Sequence, residues 1–114
     1  MKSVKRIMDQ IVILDVTGEI RLGESARELN LELDALLKDA SVEGVVLQME
    51  NINYIDSTGL GELVGYLGRF RDSGKRLKLV NPNETVTKLL SLTKLDEVFK
   101  IYKDETSALE DFLD

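Results

Sequence analysis

Apolar residues along the chain change period several times, and each change marks an element. Residues 4–8 and 11–16 are two β-branched-rich runs separated by Asp9-Gln10, a pattern that predicts a tight antiparallel hairpin, with Gly18 closing the second strand. Ser25 with Glu28 three residues on has the form of a capping box. Beyond it Ala26, Leu29, Leu33, Leu36, Leu37 and Ala40 recur at spacings of three and four, one face of an amphipathic helix. Residues 45–49, led by Val45-Val46-Leu47, form a nearly unbroken apolar run suited to a central strand covered on both faces. Leu60, Leu63, Val64, Leu67 and Phe70 return to the helical period, and Gly74 is placed to end that helix in the left-handed conformation.

The remaining segments are shorter. Leu77 and Leu79 alternate with lysine, as an edge or half-exposed strand would. Asn81-Pro82-Asn83 breaks the chain and caps a helix carrying Val86, Leu89 and Leu90. Residues 98–102 predict a short strand, and Asp104 caps a last helix with Leu109, Phe112 and Leu113. The order ββαβαβαβα requires parallel neighbours with right-handed crossovers, and the opening hairpin makes the sheet mixed. The expected fold is a single α/β domain over residues 1–114, a mixed β-sheet with helices packed on it.

Composition then removes most chemistry. In 114 residues there is no His and no Cys, which excludes imidazole relays, thiol nucleophiles, disulfides and zinc–thiolate sites. A serine hydrolase built on Ser57 would lack its His base. The net charge of -6 opposes binding to nucleic acid or to an anionic membrane. No apolar run resembles a signal peptide or a bilayer span, so the expected setting is the cytoplasm. Asp15, Glu19, Asp56 and Glu62 could be drawn as a carboxylate site for Mg²⁺, but acids are scattered along so charged a chain. A phosphoacceptor receiver domain would need an acidic pair after its first strand, and residues 11–16 are followed by none. Lys2, Lys5, Arg6 and Lys75-Arg76 read as strand-flanking solubility charges. No metal, no cofactor and no enzymatic activity is expected.

The informative stretch is Asp56-Ser57-Thr58-Gly59-Leu60-Gly61, at the carboxyl end of a strand and the start of a helix, where open α/β sheets place their sites. One cap needs one oxygen-bearing side chain, and here three stand in a row. A phosphate on a hydroxyl there would meet free N–H groups and the positive end of the helix dipole. Gly59 and Gly61 leave room for close approach by a kinase or partner. Gly61, Gly65 and Gly68 share one side of the helix, which fits either a partner surface or close packing on a neighbouring element.

The run from Tyr54 to Gly61, a strand end followed by Asp-Ser-Thr-Gly-Leu-Gly, resembles the signature of STAS-domain anti-sigma factor antagonists. Val16-Thr17-Gly18-Glu19-Ile20 looks like that family's second strand and turn. Leu77-Lys78-Leu79-Val80-Asn81, with residues 86–90 and 92–96, looks like its fourth strand and third helix. The resemblance spans nearly the whole chain and implies a STAS-like fold and a partner-switching role. In that role the unphosphorylated protein binds an anti-sigma factor that is also a serine kinase, and so frees a sigma factor. ATP-dependent phosphorylation of Ser57 ends the binding, and a phosphatase resets it. The implied partner-binding residues are Glu19, Arg21, Asp56, Thr58, Gly59, Leu60 and Gly61. Asp56 would orient the hydroxyl or be read by the kinase, and Thr58 would be the cap. Arg21 is a departure, because the family often has an acidic residue there. It leaves a second reading, a non-switching STAS scaffold in a signalling assembly or beside a membrane transporter.

Overall fold

A computed structural model describes residues 1–112; the last expected core position of the C-terminal helix, Leu113, lies outside them. The strands are β1 (Lys2–Met8), β2 (Ile11–Ile20), β3 (Gly44–Gln48), β4 (Ile52–Ile55), β5 (Arg76–Val80) and β6 (Ile101–Tyr102). The helices are α1 (Glu24–Lys38), α2 (Ser57–Asp72), α3 (Glu84–Leu92) and α4 (Glu105–Phe112), with a 3₁₀ turn at Leu95–Glu97. The sheet runs β1-β2-β3-β5-β6, and β4 pairs with the far half of β2. Among the described residues only the β1–β2 pair is antiparallel, joined through Asp9 at φ 57° so that Met8 faces Ile11.

Strand alternation divides the core between the two faces of the sheet. Val12, Leu14, Val45, Leu47, Leu77 and Leu79 point to the face that α1, α2 and α3 cover, where they meet Leu29, Leu33, Leu63 and Phe70. Ile13, Val46 and Val80 point the other way into a small second core under Ala108 of α4. All five residues of β3 are buried, as a strand with helices on both faces requires.

Five expectations need correction. First, β2 does not stop at Gly18. It passes β3 at residues 11–15, bulges between Gly18 and Glu19, and continues beside β4 to Ile20. Gly18 sits at φ 108°, a conformation open to glycine and strained for other residues, so it bends the strand rather than ending it. Second, β3 and β4 are separate strands, because a turn at Glu50-Asn51 carries the chain sideways from β5's neighbour to β2's.

Third, Ser25 is not the N-cap of α1. The cap is Gly23, and the Ser25 hydroxyl turns back to accept from Arg21 N–H at 2.7 Å and donate to Arg21 C=O at 3.1 Å. The helix also ends at Lys38, which leaves Ala40 exposed. Fourth, β5 is interior. Lys78 is 3% exposed because α4 lies over it, and its Nζ donates to Ala108 C=O and the Asp111 carboxylate. Fifth, the strand expected over residues 98–102 reduces to two residues, since Phe99 turns inward and its N–H bonds back to Leu95 C=O.

Several basic residues have defined partners. Lys75 donates to the carbonyls of Leu37 and Asp39, both at 2.7 Å, and so closes the C-terminus of α1. Arg76 does the same for α4 through Asp111 C=O and Phe112 C=O. Arg6 bridges Asp15 at 3.0 Å and Glu105 at 2.6 Å. Cations at helix C-termini compensate the negative end of the dipole. The other expected ends hold: Gly74 (φ 76°) terminates α2 in a Schellman motif, Asn83 caps α3, and Asp104 accepts from Ser107 N–H in the first turn of α4.

Candidate functional site

The bulge at Gly18 is what builds the site. By passing β2 from β3 to β4, it brings Ile20, Arg21 and Leu22 alongside the start of α2. Asp56 N–H donates to Ile20 C=O at 3.1 Å. The Asp56 carboxylate is then shared: Oδ1 accepts from Gly59 N–H at 2.9 Å and Oδ2 accepts from Leu22 N–H at 2.8 Å. Asp56 is therefore the N-cap of α2, and Thr58, the expected cap, is not. Asp accepts at the cap without strain because its backbone is extended (φ -92°, ψ 179°) and its side chain reaches the third helical N–H.

Those two backbone donors hold the Asp56 carboxyl below the usual carboxylate range. A carboxyl with a lowered folded pKa contributes stability that is fully present above its unfolded value, near 3.9, and is lost as pH falls through the folded value. The melting temperature of Asp56→Ala should therefore lie below that of the natural protein at neutral pH. The gap should narrow as pH falls below about 4. A gap of constant size down to about pH 2.5 would show that the charge contributes nothing.

Ser57, directly after Asp56, is the first residue of α2 and is exposed. It stands on the rim of a groove of about 400 Å³ between α2 and α3, lined by Tyr54, Ser57, Leu60, Lys88, Leu89 and Leu92 among others. Leu92 is 83% exposed and Tyr54 38%, both on the groove, and Leu22, tied to Asp56 through its N–H, is 77% exposed in the neighbouring hollow. These three were missed in the sequence. Leu92 alone left a signal, an apolar residue off the buried stripe of its helix.

The remaining expected residues divide into outward and inward groups. Glu19 and Arg21 are exposed at the same end and bound to each other, Nε to Oε2 at 2.9 Å, while the Arg21 guanidinium lies 4.1 Å over the Tyr54 ring. Glu19 holds the Arg21 pKa above its ordinary value. Arg21 thus sits between Glu19 and Tyr54 in a solvent-facing trio, not as an isolated reversed charge. Gly61 is exposed, and Thr58 is half-buried. Gly59 and Leu60 are buried, Leu60 in the wall of the groove, and Gly59 faces the sheet rather than leaving room for a kinase. A Cβ on Gly59 would stand 2.7 Å from Ile20 Cγ2 and 2.9 Å from Ile55 Cγ1; the missing side chain lets α2 sit down on β2 and β4. Gly61 and Gly65 have open space where a Cβ would go, and Gly68 meets only the end of Arg71, so close packing does not explain them.

The acids drawn together in the sequence are apart. Asp15 is held by Arg6, Glu19 by Arg21, and Glu62 accepts from Asn30 at 2.7 Å. Among the described residues no group of three or more acids could hold a metal, and no helix is long and apolar enough to cross a membrane. Among the described residues, the site presents an exposed serine beside an apolar groove.

Known proteins share this architecture. The family model for the STAS domain matches residues 2–108. A Thermotoga maritima protein, described as an anti-sigma factor antagonist candidate, is 33% identical over 106 residues, 93% of each chain. Its crystal structure superposes with a TM-score of 0.87 at 34% identity, covering 96% of this chain and 92% of that one. An anti-sigma F factor antagonist of Paenibacillus polymyxa is 25% identical over 99 residues, 87% of this chain and 84% of the relative. The unphosphorylated anti-sigma factor antagonist SpoIIAA has the same fold, with a TM-score of 0.74 at 17% identity over 97% of both chains.

Proposed function

Because this chain belongs to the STAS domain family, we propose that residues 1–114 form one such domain acting as an anti-sigma factor antagonist. In its unphosphorylated form it binds an anti-sigma factor that is also a serine kinase, and a sigma factor is released. The names of its relatives support the general role. The observation that carries the switching mechanism is Ser57, an exposed hydroxyl in the first turn of α2 on the rim of an apolar groove.

The partner would dock over the groove between α2 and α3, covering Leu22, Tyr54 and Leu92. Exposed apolar surface of this kind supplies binding energy when water is removed from it. Glu19, Arg21, Asp56, Thr58 and Gly61 would form the polar border. The kinase transfers the γ-phosphoryl group of ATP to Ser57 Oγ; the hydroxyl proton passes to a base on the kinase, and ADP leaves. The product carries a charge of about -2 next to the Asp56 carboxylate. The helix end tolerates that charge, whereas a closely packed interface would have to desolvate it. Binding is lost without unfolding, and a phosphatase restores it. The STAS domain needs no cofactor of its own, because the kinase supplies the catalysis.

The test is phosphorylation by a purified anti-sigma kinase from the same organism, with ATP, followed by mass spectrometry. One phosphate located on Ser57, and none on Ser57→Ala, is the expected result. A kinase that binds this chain yet leaves Ser57 unmodified, or modifies another residue, would remove the switch.

A further inference from the structure

The chain is acidic overall, yet a third of its fifteen cations gather around one cavity. Arg71, Lys75, Arg76, Lys78 and Lys100 surround a space of about 420 Å³ beside β5, with Asp111 the one acid among the lining residues. The C-terminal ends of α1, α2 and α4 converge on the same place, each with about half a negative charge. Counting these with Asp111, the described lining residues leave a surplus of about two and a half positive charges.

The cations differ in what remains free. Lys75 and Arg76 are committed to helix carbonyls, as described above. Lys78 is buried beneath the site, with Nζ 3.7 Å from the centre of the Phe112 ring and bonded to Ala108 C=O and Asp111. Asp111 also accepts from Lys100 at 2.9 Å and from the Tyr102 hydroxyl. One internal carboxylate thus already answers three donors, and its pKa is driven far below the ordinary range by them. The guanidinium of Arg71 makes a single long contact, 3.8 Å to Asp72, among the described residues. The Arg71 side chain is 77% exposed and can swing toward an incoming anion, whereas Lys100, 68% exposed, would exchange its bond to Asp111 for one to the anion. Leu67, Leu77 and Val98 complete the wall with apolar surface.

We propose that this cavity is a binding site for a small phosphate-bearing anion with a compact apolar part, clasped by Arg71 and Lys100 over the buried Lys78. Guanidinium and ammonium groups bind phosphate oxygens through short, charge-assisted bonds. The volume is that of a small-ligand pocket, and the cations line a concavity, which suits a small molecule better than a nucleic-acid duplex. The site lies at the opposite end of α2 from Ser57, about 21 Å away along the helix axis. Its occupancy is therefore separate from docking at the other pole and does not depend on the switch.

The test uses the full chain and inorganic pyrophosphate, titrated at low salt and followed by backbone amide NMR. Saturable shifts at Arg71, residues 74–78 and Lys100, with a dissociation constant at or below about 1 mM, are expected. The double variant Arg71→Gln/Lys100→Gln should weaken binding about tenfold or more. The control Arg27→Gln/Lys103→Gln removes the same charge from exposed positions elsewhere and should leave binding unchanged. Linear, unsaturated shifts, equal weakening by the control pair, or shifts centred on Ser57 would each overturn the site. A short DNA duplex that displaces pyrophosphate at lower concentration would overturn the small-anion reading.

Discussion

Ser57→Asp is expected to weaken binding to the anti-sigma partner about a hundredfold, while Ser57→Ala binds as the natural protein does. Burying an unpaired charge in a protein interface costs about 2–5 kcal/mol, and each 1.4 kcal/mol is tenfold in affinity. Asp at this position brings that charge to the groove rim without the kinase. The fold should not register the change. A carboxylate in the first turn of a helix is stabilised by the dipole, and Ser57 is exposed, so nothing is displaced. The melting temperature should stay within about 2 °C. Calorimetric titration against the purified partner, with thermal melts of each variant, separates the two effects. Equal affinity of Ser57→Asp and the natural protein would show that Ser57 lies outside the interface.

Gly59→Val is the substitution with the largest expected effect on stability. Its Cβ would be forced to 2.7 Å from Ile20 Cγ2 and 3.3 Å from Ile20 C=O, and the second of these belongs to the β2 backbone. Neither neighbour can give way, because Ile20 is fully buried and its carbonyl accepts from Asp56 N–H. The start of α2 must lift, at about 3 kcal/mol, or about 12 °C in melting temperature for a domain of this size. Lifting α2 also pulls Asp56 from Leu22, so partner binding should fall with stability. Two residues on, the sign reverses. Gly61→Ala and Gly65→Ala meet open space on the helix surface and should each stabilise by about 0.5–1 kcal/mol. Urea titrations of the three variants check this; destabilisation by Gly61→Ala would mean that the glycine is needed by the backbone. A stabilised Gly61→Ala that no longer binds would instead place Gly61 in the contact surface.

The elements were legible where the apolar period was long and the punctuation strong. The hairpin at Asp9-Gln10, the unbroken β3 run, the α2 stripe ending at Gly74 and the Asn83 cap all depend on neighbours in sequence. The candidate segment was legible for the same reason: a strand end, an acid, a hydroxyl and glycines are local facts. What local pattern could not supply was burial imposed by a distant element. Lys78 reads as half of an alternating, solvated strand. Only α4, some thirty residues later, turns it into a buried cation.

At the site the same division holds. Sequence alone determined that this chain carries no imidazole, thiol or evident metal chemistry, and that its distinctive hydroxyl begins a helix. It could not decide which of three adjacent oxygens caps that helix. That choice was made by the bulge at Gly18, which delivers Leu22 N–H to Asp56 across a gap of 34 residues. It could not decide that Gly59 faces the sheet while Gly61 faces solvent, because the two glycines are chemically alike and differ only in what lies beneath them. Nor could it gather Tyr54 and Leu92 into one groove, or five lysines and arginines around one cavity. Side-chain type and period are properties of short stretches of chain, whereas a surface is made by elements that meet only after folding.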